Sequence, residues 1–527
     1  MTAFTGTGAL VRLILRRDRI RLPVWILAIV VVVHASAEAV TQAYSTQTLI
    51  DSYAATMGTS PAAVAMAGPP VGLDTIGGIV VNETGVTALI ATALMGIFLV
   101  VRHTRVEEEE GRTELLRSAV LGRQAPLLAT VLVIWAACIV IGLGILASLT
   151  SLDLAFEGAV LVAAEVTVLG VVFAAIAACA AQVMTHGRGA VGASAAVLGA
   201  AFVLRAVGDV RDGALSWVSP IGWSQAVHAF ADPRWWPLAI SLLVAVALTV
   251  VAGWLTTRRD VGLGLVAPRP GPAAAGRLLG SPAGLALRLQ RGSIIGWGVA
   301  LFLGGVAFGS LSRELQAMVE SNPTLAEYFE EAAGATLVDS FLGTAMLVLS
   351  LLGAGFAVSS ALRIRAEETA GRTEQVLATG VTRGRMLLSN MAVTAGGSAA
   401  VVAAGGLGTG IATAVVTDDP AAVARLVGYA LVYLPAVLTL AALAVLLVGC
   451  LPRFAVAAWA AVAVCFVVGW LGGLLDLPRW VEQASPFTHT PQVPAEQVAI
   501  APLATLLLLA VLGVAGGLVG YRRRDIG

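Results

Sequence analysis

The sequence predicts an all-α polytopic membrane protein with about twelve transmembrane helices. Hydrophobic residues make up 58% of its 527 residues, and the mean hydropathy is +0.89, well above that of soluble domains of average composition. Apolar stretches of about 20 residues recur along the chain, and a helix of this length crosses roughly 30 Å of hydrocarbon. A transmembrane β-barrel would show shorter segments of alternating hydrophobicity instead.

The apolar stretches fall into two groups of six. The first six lie at about 23–41, 85–102, 126–149, 158–182, 190–208 and 236–256. The second six lie at about 293–310, 340–362, 386–415, 422–449, 454–475 and 498–520. The segment 259–284 between them is rich in Pro, Gly and Ala, which predicts a flexible linker joining a first repeat (1–258) to a second (285–527). Because each half has an even number of spans, the two halves form a parallel repeat.

The basic residues exclude one kind of ATPase and indicate how the chain is oriented in the membrane. All 32 are arginine, and a Walker A loop requires a lysine, so the chain cannot contain a standard P-loop ATPase. With the N-terminus inside, 26 arginines are cytoplasmic and only six are outside, which fits the positive-inside rule with both termini cytoplasmic. These six are Arg205, Arg211, Arg234, Arg313, Arg425 and Arg479.

Two charged segments stand out between apolar spans. The first charged segment, Glu107–Arg123, reads EEEEGRTELLRSAVLGR, and the second, Glu367–Arg383, reads EETAGRTEQVLATGVTR. Each follows the second span of its half, so both are predicted to be cytoplasmic. A shift of 260 positions superposes Glu107, Glu108, Gly111, Arg112, Glu114 and Arg123 on Glu367, Glu368, Gly371, Arg372, Glu374 and Arg383.

The repetition extends beyond these segments and argues against a simple solvated loop. The word ArgArgAspValGly at Arg258–Gly262 returns as ArgArgAspIleGly at Arg523–Gly527. A loop that only obeys topology rules would contain arginine, but it would not contain the same Gly-Arg-Thr-Glu word twice. In each copy the glycine is expected to end the descending span, and Thr113 or Thr373 is expected to cap the next helical turn.

The chain begins with a basic amphipathic stretch, Leu10–Leu22, followed by Pro23. This pattern predicts an interfacial helix with arginines among lipid headgroups. A cleavable signal peptide is the alternative interpretation. The second half begins in a similar way at Leu285–Arg291, where a signal peptide is excluded by position.

These features together resemble a known class of transporters. A cytoplasmic E-x-G-R-x-E-L-L helix between spans two and three, preceded by a basic interfacial helix and repeated in a fused twelve-span chain, is similar to the ABC-2 type (type V) exporter permeases. The closest branch is that of the actinobacterial polyketide-antibiotic (tetronasin-type) exporters. The resemblance implies a bacterial plasma-membrane permease that moves hydrophobic or amphipathic compounds, such as antibiotics, drugs or lipids, outward.

The resemblance also implies partners and roles. Gly111–Arg123 and Gly371–Arg383 would be coupling helices that dock into two ATP-binding-cassette subunits on separate chains, while Leu10–Leu22 and Leu285–Arg291 would be elbow helices. ATP and Mg²⁺ would be bound by those partners, and this chain would have no cofactor and no enzyme activity of its own. The second copy has Gln375 where the first has Leu115, so the two contacts are expected to differ in strength.

Candidates for the substrate pathway are fewer. Glu165 lies within span four, where a charge costs roughly 2–3 kcal/mol unless it is paired or hydrated. It is therefore either a substrate contact or a residue near the span end that is wetted by the interface. The corresponding region of the second half contains Tyr429 and Tyr433 but no acid, so a site of this kind would be asymmetric.

Two other classes of protein match the sequence less well. A proton-coupled secondary multidrug transporter also has twelve spans in two parallel halves, but Glu165 is the only clear membrane-embedded charge. A membrane-embedded enzyme lacks support because the five histidines are scattered and neither H-E-x-x-H nor G-x-S-x-G occurs. The four cysteines, all in apolar runs without C-x-x-C spacing, predict neither a disulfide nor a metal site.

Overall fold

A computed structural model describes residues 2–113, 118, 120–211, 213–260, 262–266, 273–312, 336–475 and 478–524. Every regular element within these ranges is helical. Twelve of the helices there are long and apolar enough to cross a membrane, which confirms the prediction of an all-α polytopic membrane protein. The chain divides into two compact units, Met1–Pro270 and Gly271–Gly527.

Unit 1 contains spans one to six, preceded by a short helix at Thr7–Arg17. The spans are Arg21–Ala43, Ile76–Val101, Ala125–Ser151, Phe156–Val183, Gly187–Val210 and Trp236–Thr256. Span two continues without a break through a π-helical turn, Arg102–Val106, into Glu107–Glu109. It is therefore longer at both ends than the sequence predicted.

Span four lies at the centre of unit 1, packed against spans two, three and six. Small residues allow the close approach: a Cβ atom added to Gly96 of span two would lie 3.1 Å from the carbonyl oxygen of Gly170 on span four. Helices in a membrane associate through such close backbone contacts, because burial of apolar surface gives them little driving force in lipid.

The connection between spans one and two, residues 44–75, packs on spans two and five of unit 1 and is called the cap segment below. It contains two short helices, Gln47–Met57 and Pro61–Ala67. Arg205 of span five is fully buried and donates hydrogen bonds to the carbonyl oxygens of Val64 and Met66 at 3.3 and 3.2 Å. The cap segment is therefore bound to span five through its backbone.

Unit 2 contains spans seven to twelve. They are Pro282–Ser310, Leu337–Thr369, Arg383–Thr417, Ala421–Cys450 (broken at Tyr433), Ala458–Leu475 and Ile500–Arg523. Span eight is central and packs against spans seven, nine, ten and eleven. Spans seven and nine touch through glycine, since a Cβ atom on Gly408 would lie 2.0 Å from the carbonyl oxygen of Phe302.

Of the two predicted elbow helices, the one in unit 1 is a separate helix and the one in unit 2 is not. In unit 1 a separate helix exists, but it ends at Arg17, and span one begins at Arg21, so that Pro23 lies in its first turn. The prediction of a separate helix at Leu285–Arg291 is wrong, because these residues belong to the unbroken helix Pro282–Ser310. Ser281 caps this helix by accepting a hydrogen bond from the backbone N–H of Gly284, and no proline follows within the helix.

Part of the segment predicted as a flexible linker makes hydrogen bonds to unit 1, and another part belongs to the first helix of unit 2. Leu265 and Val266 donate backbone hydrogen bonds to the carbonyl oxygens of Gln182 and Val183 at the end of span four. Residues 277–284 form a 3₁₀ turn, Arg277–Gly280, and the start of span seven. The boundary between the two units, at Pro270–Gly271, lies inside the same segment.

Candidate functional site

A glycine with a left-handed backbone ends the descending helix in each charged segment. Gly111 has φ +71° and Gly371 has φ +68°, and each follows the end of its span, as the sequence predicted. A Cβ atom at either position would meet no atom of the described residues within 4 Å, so the backbone conformation favours glycine here. In unit 2 the helix Arg372–Leu377 starts directly after this turn.

The predicted threonine cap does not form in unit 2. The helix is capped by Gly371, without a side-chain hydrogen bond. Thr373 lies inside the first turn, where it is buried and its hydroxyl has no hydrogen-bond partner among the described residues. The capping prediction for Thr373 is therefore wrong, because the left-handed glycine moves the helix start two residues earlier.

Glu107 joins the first charged segment to the N-terminal helix. Its carboxylate accepts a hydrogen bond from Arg17 at 2.8 Å and another from Arg112 at 3.0 Å. The hydrogen bond to Glu107 raises the pKa of the Arg17 guanidinium, as expected when a charged form is stabilised. The contact holds the start of the turn against the helix Thr7–Arg17.

Glu108 is bound by two arginines from other parts of unit 1. Arg259, which follows span six, reaches its two carboxylate oxygens at 2.6 and 2.8 Å. Arg105, which is fully buried in the π-helical turn, reaches it at 2.7 Å. Arg105 also donates to the carbonyl oxygens of Thr185 and Gly262. The end of span two is thus tied to the loops after spans four and six.

Unit 2 repeats three of these contacts at equivalent positions. Arg524, after span twelve, binds Glu368 at 2.6 Å, and Arg365 lies 3.3 Å from the same carboxylate. Arg372 binds Glu367 at 2.5 Å, as Arg112 binds Glu107. The hydrogen bond to Glu367 raises the pKa of Arg372.

The last residue of each charged segment binds the end of the last span in its unit. Arg123 donates to the carbonyl oxygens of Thr256 and Arg259 at 3.0 and 2.9 Å. Arg383 donates to the carbonyl oxygen of Arg524 at 2.6 Å. A cation at a helix C-terminus interacts favourably with the carbonyl groups left unpaired there.

Most residues predicted to bind a partner therefore also make hydrogen bonds or ion pairs within their own unit. In unit 2, Glu374 and Gln375 are exposed, and Val376 and Leu377 are half-buried beside them. These four residues are called the exposed turn below. The corresponding residues of the first copy, including the predicted site residue Glu114, lie outside the described residues.

The structure places the predicted substrate-pathway residues in different surroundings. Glu165 is 2% exposed and faces a cavity of about 40 Å³ that is also lined by Asn82, Gln225 and His228. Tyr433 is fully buried at the break in span ten, where its hydroxyl lies 3.4 Å from the carbonyl oxygen of Gly343. Tyr429 is half-buried on the same span.

A second polar cluster, which no sequence pattern indicated, lies at the cytoplasmic end predicted for span two. Asp18, fully buried after the first helix, pairs with His103 at 2.5 Å and lies 3.6 Å from Arg102. The roles of Arg259 and Arg524, which complete the two charged clusters, were also not predicted. The repeated ArgArgAsp word was the signal that could have identified these two arginines.

Comparison with known proteins gives the family. Residues 279–522 match the family model described as "Multidrug efflux system permease Rv1217c, C-terminal domain". Over 536 aligned positions the chain is 39% identical to the multidrug efflux system permease protein Rv1217c of Mycobacterium tuberculosis (strain ATCC 25618 / H37Rv), and the alignment covers 100% of this chain and 96% of that relative. Both matches include the second charged segment. The chain belongs to the family of the multidrug efflux system permease Rv1217c.

Proposed function

We propose that the chain is the membrane-spanning permease of an ATP-binding-cassette exporter in the bacterial plasma membrane. Two ATP-binding subunits on separate chains bind ATP and Mg²⁺ and dock at the two charged segments, which face the cytoplasm together with both termini. The cargo is hydrophobic or amphipathic, of the antibiotic, drug or lipid kind. The name of the M. tuberculosis relative, a multidrug efflux system permease, supports an export role.

The observation that carries this proposal is the repeated link between each charged segment and the last span of its unit. Arg259 joins Glu108 to the end of span six, and Arg524 joins Glu368 to the end of span twelve. A partner that moves the segment would move the end of that span with it, because coupling travels through such contiguous polar contacts. Two equivalent links suit two equivalent partner subunits.

The exposed turn has the composition of a docking surface. Glu374 and Gln375 are open to solvent, and Val376 and Leu377 leave part of their apolar surface uncovered within unit 2. A partner that buries these two side chains would gain about 25 cal/mol for each Å² of apolar surface removed from water. Glu374 would then lie at the polar rim, where charge sets specificity and association rate.

The test is to purify the tagged full-length chain from its native membranes in mild detergent and identify the proteins that accompany it. We expect an ATP-binding-cassette ATPase at about two copies per chain. Glu374→Arg should lower both co-purification and the stimulation of ATPase activity several-fold. The control is Glu157→Arg, an exposed acidic residue in the first turn of span four. If the wild-type chain transports in vesicles without any ATPase, the proposal fails.

A second candidate is a proton-coupled secondary multidrug transporter, and one observation favours it. Glu165 is buried within span four and borders a cavity, and embedded acids are common in proton relays. Under this alternative, the purified chain in vesicles would transport when only a proton gradient is imposed, and Glu165→Gln would abolish that transport. Transport that requires ATP and ignores the gradient would eliminate the candidate.

A further inference from the structure

A small cavity with a few polar side chains lies against the cap segment of unit 1. Its volume, about 40 Å³, is enough for at least one water molecule, which needs roughly 10–15 Å³. Four parts of the unit form its wall: the cap segment, span two, span four and the segment before span six. The cap segment contributes Ala67 and Val71, span two contributes Asn82, and span four contributes Glu165. The segment before span six contributes Gln225 and His228.

Glu165 has no partner in this cavity. The side chain is 2% exposed, and no described residue makes a hydrogen bond or an ion pair with its carboxyl group. An ionised carboxylate that is buried without a partner is strongly unfavourable. The geometry therefore calls for a bound proton or another cation at this position.

Gln225 supplies a second unpaired group on the same cavity. Its amide nitrogen donates to the carbonyl oxygen of Ala67 in the cap segment at 2.7 Å, while its Oε1 atom is buried and receives no hydrogen bond from the described residues. Gly68, next to Ala67, makes room for this side chain, because a Cβ atom there would lie 2.2 Å from the Gln225 amide nitrogen. Oε1 thus lacks a donor, and a carboxyl group that carries a proton is a donor.

We propose that Glu165 binds a proton and donates a hydrogen bond directly to Gln225 Oε1, and that this hydrogen bond holds the cap segment closed. When the proton leaves to bulk water, Glu165 and Gln225 Oε1 are both acceptors, so the hydrogen bond is lost and the charged carboxylate draws water into the cavity. The proposal concerns the cap segment and does not depend on which energy source drives transport.

The other charged and titratable groups nearby are accounted for by their own partners. Glu83, beside Asn82, accepts a hydrogen bond from Tyr53, Arg205 pairs with Asp209, and Arg234 pairs with Asp232. His228 is the other titratable residue in the cavity lining. Burial, and then the charge of Arg234, lower the pKa of His228, so it stays neutral as the pH rises from 7. A structural change of the cap segment above pH 7 therefore reflects the loss of the proton from Glu165.

The first measurement is infrared spectroscopy of the purified full-length chain in lipid nanodiscs at pH 7. Subtracting the spectrum of Glu165→Gln from that of the wild type should leave the carbonyl band of one protonated carboxyl group. This band should disappear as the pH is raised. The control Glu157→Gln, an exposed residue on the same helix, should leave the band in place. Absence of the band in the wild type at pH 7 would overturn the proposal.

The second measurement is hydrogen exchange of the backbone amides in residues 61–75, corrected for the intrinsic effect of pH. Glu165→Ala removes the donor and should speed exchange about three- to tenfold, the effect of one lost hydrogen bond. Glu165→Gln keeps a donor, so exchange should stay slow and become independent of pH. Raising the pH of the wild type removes the donor without any substitution. If exchange instead follows Na⁺ concentration at fixed pH, the cavity holds a metal cation and the proposal is wrong.

Discussion

Arg259 donates hydrogen bonds to both carboxylate oxygens of Glu108, at 2.6 and 2.8 Å. Four membrane spans separate the two residues in the sequence. Only 7% of the Arg259 side chain and 11% of the Glu108 side chain are exposed. A bidentate, largely buried pair has a fixed geometry. It therefore sets where the first charged segment lies relative to the end of span six.

Glu108→Gln should destabilise unit 1 by about 3–5 kcal/mol, because it removes one partner of a buried pair and leaves Arg259 and Arg105 without their carboxylate. The measurement is the free energy of unfolding of the full-length chain in detergent. Glu110→Gln is the matched control, since Glu110 and Arg112 are about half exposed and such pairs contribute about 0–1 kcal/mol. Equal losses for the two variants would show that Glu108 has no special structural role.

The two left-handed glycines should respond in parallel to substitution. Gly111→Ala and Gly371→Ala should each cost about 1–2 kcal/mol, because an L residue with φ near +70° is strained even where there is space for its side chain. Gly371→Asn should cost less, since Asn adopts this conformation more readily. Unfolding free energies of the three variants check the order. An alanine variant as stable as the wild type would mean that the turn adopts another backbone conformation.

The two docking contacts should be unequal, and one substitution should reduce the difference. Gln375→Leu places the residue of the first copy in the second and exposes an apolar side chain for a partner to bury. A gain of about 0.5–1 kcal/mol, two- to fivefold in the affinity of the ATPase subunit, is expected from part of a leucine side chain. Binding measured on the purified chain tests this, with Leu115→Gln as the reverse variant. If neither variant changes the affinity, the ATPase subunit does not contact these two residues.

Spans and their order could be predicted from the sequence because hydropathy over about 20 residues depends only on local composition. The break between the first helix and span one could not be located, since it depends on the buried contact of Asp18 with His103, 85 residues away. The second half has no break at Leu285–Arg291 for a similar reason. There Gln290 is buried inside a continuous helix and accepts a hydrogen bond from Ser360.

The charged segments were recognised because their sequence repeats, but the repetition did not reveal which arginine binds which glutamate. Glu107 and Glu108 are adjacent, yet Glu107 faces Arg17 and Glu108 faces Arg259. Such choices are made by tertiary packing. Glu165 was singled out by its charge within an apolar span, whereas its cavity depends on the cap segment and on Gln225, which no local pattern connects to span four.

The segment before span six should weaken in acid because of His228. Burial, and then the charge of Arg234, lower the pKa of His228 below its usual value of 6.5. The unfolded chain then binds the proton more readily than the folded one, so the stabilising contribution is complete above about pH 6.5 and is lost as the pH falls through the lower folded value.

Hydrogen exchange of residues 226–235 between pH 7.5 and 5 measures this loss, corrected for the intrinsic effect of pH. His228→Asn is the informative variant, because His228 has φ +53° and Asn tolerates that conformation. We expect exchange in the variant to be nearly independent of pH, while exchange in the wild type quickens in acid. The direction is opposite to that expected for Glu165, where acid holds the cap segment closed. If both proteins quicken equally in acid, a group other than His228 is being titrated.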